Sequence, residues 1–218
     1  MPIIVGKFPT QIAERICIYI AELAQARLVP PWEPLQVRIE DLLQSDPHPV
    51  FFAPLDALVE GKLLAAAQHT GWRTLLVQDE QTVAEVELGG KPRRGTKPGT
   101  VAKASVGDDL KVMSMTRGPF TEGTIEALNA AEKLPRVAKT SYELRFLKAP
   151  AVYFAALWLH GDKDDILVPM VDPPGKLKKN RAYSENEVIK ALSGIAEQNQ
   201  RFHENYKEPK SKPPRKRK

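Results

Sequence analysis

Residues 141–170 read SYELRFLKAPAVYFAALWLHGDKDDILVPM, the densest apolar and aromatic stretch of the chain. Tyr142, Leu144 and Phe146 alternate with Glu143, Arg145 and Leu147, and that period of two predicts a strand over 141–148. Ala151 to Leu159 is apolar throughout, which suits a central strand covered on both faces, although a buried helix has the same pattern. Ile166 to Val171 is short and rich in β-branched residues and predicts a third strand. Lys148-Ala149-Pro150 and Gly161-Asp162-Lys163-Asp164-Asp165 supply the turns between them.

Working outward, Thr74–Gln78 and Thr82–Leu88 read as a hairpin, with Ala84, Val86 and Leu88 alternating with Glu85 and Glu87. Further strands are expected near 50–53 and 110–115. Helices are expected at 11–26, with Ile12, Ile16, Tyr19, Ile20 and Leu23 on one stripe, and at 121–133, with Ile125 and Leu128 inward and Thr121 as cap. Ser184 and Glu187 form a capping box for a helix over 185–203, stapled by Tyr183 and Val188. Residues 55–69 read as helical although Gly61 interrupts them. Pro34 starts a short helix with Leu35, Ile39, Leu42 and Leu43 inward. The expected fold is therefore α+β. An antiparallel or mixed sheet of about six or seven strands is covered by helices and followed by a disordered basic tail. Residues 1–206 form one domain, with a helical segment at 10–45 and a loop at 89–109 that its glycine, proline and lysine content marks as mobile. Residues 207–218 are disordered by composition.

The 218 residues carry a formal charge of +5. The last twelve, KEPKSKPPRKRK, hold seven Lys or Arg and one Glu, a net of +6, so residues 1–206 stand near neutrality at −1. The single cysteine, Cys17, excludes an internal disulfide and is read as a small core residue in a reducing compartment. The first residues lack the pattern of a secretory signal, and no apolar run approaches the ~20 residues of a spanning helix. The expectation is a cytoplasmic protein that is not inserted in a membrane.

No catalytic constellation, metal set or cofactor motif stands out. Asp162, Asp164 and Asp165 lack the spacing of a calcium loop and read as a solvated turn. His48, His69, His160 and His203 are scattered singly, without metal-ligand spacing. Trp72 and Trp158 are core anchors, and Trp32, between prolines, is a partly exposed contact residue. Arg117 and Thr121 flank a strand-to-helix turn and form a candidate anion site, because helix N-terminal amides attract negative charge. The strongest signal beyond folding is basic. Lys91, Arg93, Arg94 and Lys97 in the loop, with Arg215, Lys216, Arg217 and Lys218 in the tail, are candidate polyanion contacts of salt-dependent affinity. The pattern points to a non-enzymatic binding or adaptor protein with a protein partner. The alternatives are a nucleic-acid-associated protein using tail and loop for phosphate contacts, and a small enzyme whose site assembles from residues distant in sequence.

GWRTLLV at 71–77, GPFTEGTIEAL at 118–128, YELRFLKAPAVYFAALWL at 142–159, LVPMVDPPG at 167–175 and RAYSENE at 181–187 together resemble a group of uncharacterised bacterial proteins of about this size. The resemblance spans roughly residues 50–195, implies an α+β fold and carries no activity or catalytic residue across.

Overall fold

Alternation and turn chemistry place most of the strands, and the computed structural model describes residues 3–25, 42–78, 81–89, 97–101 and 110–205. In chain order the elements are β1 (Ile3–Ile4), α1 (Gln11–Gln25), β2 (Leu43–Gln44), β3 (His48–Phe52), α2 (Leu55–Val59), β4 (Gln68–Gln78) and β5 (Gln81–Gly89). There follow β6 (Lys111–Thr116), α3 (Pro119–Glu132), β7 (Tyr142–Ala149), β8 (Phe154–His160), β9 (Asp165–Pro169) and α4 (Glu185–Asn205). The sheet runs β6-β5-β4-β3-β7-β8-β9, with β1 also on β7 and β2 also on β4. It is mixed: β1 and β3 lie parallel to β7, and the other pairings are antiparallel.

Nine strands replace the expected six or seven, counted among the described residues. The additional β1 and β2 are two residues each, too short to carry a period. The apolar run 151–159 is not one strand. Pro150 begins a single 3₁₀ turn, Tyr153 takes a left-handed φ of 52°, and β8 starts only at Phe154. The expected helix over 55–69 is one short helix, α2: Gly61 adopts φ +69°, and β4 begins at Gln68. The helix expected at 121 begins at Pro119, whose fixed φ suits a first helical position, and Gly118 at φ 135° precedes it. Leu43 lies in β2 rather than in a helix, and Leu35 and Ile39 are outside the described residues. So are Trp32, most of the basic loop and residues 206–218.

Helices cover both faces of the sheet. On one face, α1 buries Ile12, Ile16 and Ile20 against Trp72, Leu76, Ala84, Val86 and Leu88. Beside it α2 and α4 bury Leu58, Val188, Leu192 and Ala196 against Phe51, Leu147, Trp158 and Leu167. Val101 packs against both clusters. On the other face, α3 sets Ala127 and Ala131 against Tyr142, Phe146, Leu157 and Val168. Small residues carry that contact, and a Cβ on Gly123 would stand 2.0 Å from the Met170 carbonyl oxygen. Ile125 and Phe120 are exposed, so the inward stripe is Thr121, Thr124, Ala127 and Ala131. Cys17 is likewise exposed, because positions 12, 16 and 20 take the core side of α1; it accepts a hydrogen bond from Gln44 Nε2 at 3.3 Å. No helix among the described residues is long and apolar enough to cross a membrane.

Candidate functional site

The capping box starts α4 as its sequence implies. Ser184 N and Oγ donate to Glu187 Oε2 at 2.7 and 2.8 Å, which holds the Glu187 carboxyl below the usual range. Glu185 Oε1 accepts from Leu64 N at 2.8 Å and ties the chain after α2 to the first turn of α4. At the far end, Asn199 Nδ2 donates to the Ala151 carbonyl at 2.6 Å. Helix α2 packs against α4 and, beyond Asn199, meets its last turns. They enclose an open groove of about 710 Å³ with the end of β3 and the 3₁₀ turn.

Phe52, Pro54, Leu55, Val59 and Ala151 give the groove apolar walls, and Phe52 is 38% exposed there. Asp56, Glu60, Gln200, His203 and Glu204 give it polar groups. Three of these are carboxylates, and among the described residues no Lys or Arg lines the groove. Asp56 accepts a 3.4 Å hydrogen bond from Gln200 Nε2, and Glu60 meets Lys62 Nζ at 3.1 Å on the surface. An apolar channel with an acidic rim recognises a ligand that brings both apolar surface and positive charge. Alternation and helix period did not reveal it, because it forms where a strand end, a short helix and a helix C-terminus converge.

A second polar group lies at the end of β8. His160 Nδ1 stands 2.8 Å from Asp165 Oδ1, which also accepts from Trp158 Nε1 at 2.6 Å. The histidine thus pairs with Asp165, its register partner on β9. Asp164 accepts from the Tyr142 hydroxyl at 2.8 Å and faces Arg136 at 3.5 Å. Burial and that carboxylate raise the Tyr142 pKa. On neighbouring β7, Arg145 Nε donates to Glu143 at 2.9 Å and Nη1 donates to the Gly99 carbonyl at 3.0 Å, with its guanidinium 4.8 Å from the Trp158 ring. Among the described residues no three His, Cys, Asp or Glu side chains converge in a way that could hold a metal.

The third group is buried under α3. Arg73 Nη2 donates to Glu85, to Thr124 Oγ1 at 2.8 Å and to the Phe120 carbonyl at 3.4 Å, and the guanidinium lies 4.3 Å from the Phe146 centroid. Glu85 also accepts from Thr116 at 3.0 Å and Thr121 at 3.4 Å. Glu87 pairs with Lys148. The alternation of 82–88 implied a wet face at Glu85 and Glu87, yet the two side chains are only 13% and 19% exposed. The missed signal was Arg73 on the neighbouring strand, opposite Glu87 in register. His48 stands opposite Arg73 on the other side. Its burial, and then the charge of Arg73, lower its pKa to about 3. His69, set against the rings of Phe51 and Trp72, is lowered to about 4, mainly by burial.

The residues singled out from the sequence are thus dispersed. Thr121 is buried with its hydroxyl directed to Glu85, whereas Arg117 is exposed. Lys97 is exposed. Lys91, Arg93, Arg94, Arg215, Lys216, Arg217 and Lys218 lie outside the described residues. Fold and site together define a mixed α+β protein with an acidic, apolar groove between two helices. Comparison with protein-family models, curated proteins and solved structures gave no match to this chain.

Proposed function

We propose that the protein is a non-enzymatic binding or adaptor protein whose groove between α2 and α4 holds an extended, basic segment of a partner protein. The observation that carries this reading is the lining itself: three carboxylates around apolar walls, with no Lys or Arg among the described lining residues. Lysine and arginine fit such a place well, because their aliphatic stems cover apolar surface while their heads reach the rim. The exposed rim gives specificity and rate more than raw affinity, so moderate, salt-sensitive binding is expected. Amide-resolved titration of the full chain with three peptides of equal length, one basic and proline-containing, one acidic and one neutral, tests it. The basic peptide should shift the amides of 52–60, 151 and 200–204 and the acidic one should not. Shifts elsewhere, or equal shifts with all three, refute the reading.

A nucleic-acid reading rests on Lys91, Arg93, Arg94, Lys97 and the basic residues at 215–218. The exposure of Lys97 favours it. It requires steeply salt-dependent, sequence-indifferent binding of mixed DNA or RNA that weakens when those residues are neutralised. The enzyme reading draws on the His160–Asp165 pair, since a carboxylate on Nδ1 orients a histidine for proton transfer.

A further inference from the structure

We infer that residues 207–218, KEPKSKPPRKRK, occupy the groove between α2 and α4 in cis, so that a partner must displace them. This rests on the groove being a binding surface for basic segments, as proposed above.

The first support is position. Gln200, His203 and Glu204 of α4 line the groove, so the segment begins only three residues along the chain from its rim. At 3.3–3.6 Å per extended residue, twelve residues reach roughly 40 Å, ample to lie along it. The second is charge. The segment carries +6 and the groove offers Asp56, Glu60 and Glu204. The third is backbone chemistry. Pro209, Pro213 and Pro214 bias the segment toward an extended helix that is ordered at low entropic cost, the form that apolar, aromatic-walled grooves accept. Phe52, Pro54, Leu55 and Val59 are such walls.

The tether makes the contact intramolecular, so weak pairwise attractions suffice to populate it, at an effective concentration in the millimolar range. The partner's apparent affinity is then lowered by the fraction of chains whose groove is filled.

Paramagnetic broadening in the full-length chain tests this. Cys17→Ser removes the native thiol, and a nitroxide is placed on Ser211→Cys. The expected result is strong broadening of the amides of 55–60 and of 151. It should be lost in Asp56→Lys/Glu60→Lys, and lost near 1 M salt, where screening acts over only about 3 Å. Excess unlabelled KEPKSKPPRKRK peptide should sharpen the same signals by competition. Broadening that depends only on distance from Asn205, and that is indifferent to salt and to the charge reversal, overturns the inference. If the free peptide shifts the groove amides while the tethered label leaves them sharp, the cis contact falls and the binding reading stands. If neither affects the groove, both fall.

Discussion

Arg73 is wholly buried and Glu85 is 13% exposed, and their pairing makes an unusual prediction about removing one partner or both. Glu85→Ala leaves a buried guanidinium whose remaining acceptors are Thr124 Oγ1 and the Phe120 carbonyl. Among the described residues Arg73 Nε and Nη1 already have no acceptor, so none of these replaces the carboxylate. Breaking a buried pair from one side costs about 3–5 kcal/mol, whereas exchanging both partners for apolar groups is often close to neutral. Arg73→Met with Glu85→Ala should therefore be more stable than Glu85→Ala alone, although it carries one more substitution. The methionine keeps contact with Phe146 in place of the guanidinium 4.3 Å away. For a chain of this length, 1 kcal/mol moves Tm by roughly 2–4 °C, so Glu85→Ala should melt roughly 6–20 °C below the wild type. Lys62→Ala breaks the pair to Glu60, which is exposed on both sides, and should cost no more than about 1 kcal/mol. Denaturant unfolding of the four chains of the Arg73–Glu85 cycle is the assay. A double variant as unstable as the sum of the single losses would show that the pair is not energetically coupled and would refute the reasoning.

Other substitutions probe the same packing. Gly123→Ala drives a Cβ to 2.0 Å from the Met170 carbonyl and should cost about 1–3 kcal/mol by forcing α3 off β9. Gly194→Ala in α4 meets nothing within 4 Å and should stabilise by about 0.5–1 kcal/mol, both measured by thermal unfolding. Ser184→Ala removes the side-chain half of the capping box and should cost about 1 kcal/mol, with hydrogen exchange accelerated first at 185–188. His48 is held neutral, with its pKa at about 3 against an ordinary 6.5. Between those values the unfolded chain binds a proton that the folded chain does not. Stability is therefore full above about pH 6.5 and falls by about 1.4 kcal/mol per pH unit as pH drops toward 3. His69 adds a similar slope down to about pH 4. His48→Asn should remove its share, and an unchanged slope from pH 6.5 to 4 in that variant would contradict the assignment.

How far the sequence reveals the fold depends on where each pattern has room to express itself. The hairpin of β4 and β5, the central β7 and the capped start of α4 are legible because period two and the Ser184–Glu187 spacing are local. The end of α2 and the start of β8 are not. Tyr153 takes a positive φ where apolar composition continues unbroken, and Gly61 takes one inside a stretch whose helical pattern resumes after it, so the pattern marks neither turn. Glu85 and Glu87 look solvated for a related reason: alternation assigns a face but not what covers it, and here α3 and Arg73 do. The groove was illegible because its ten described lining residues come from three separate stretches of the chain, 52–60, 151 and 200–204. Only the acidity of Asp56, Glu60 and Glu204 beside a distant basic segment hints at it in sequence.

Affinity for a fluorescent basic, proline-containing peptide, measured by anisotropy on the wild-type chain and on Asp56→Lys/Glu60→Lys, tests the binding reading most directly. Each exposed charge contributes about 0.2–1 kcal/mol and reversal adds repulsion, so Kd should rise on the order of tenfold or more in the variant. Glu122→Lys, an exposed reversal on α3, should leave it unchanged. Equal affinity for the wild-type chain and the groove variant would place basic-segment binding elsewhere and contradict the role proposed for the groove.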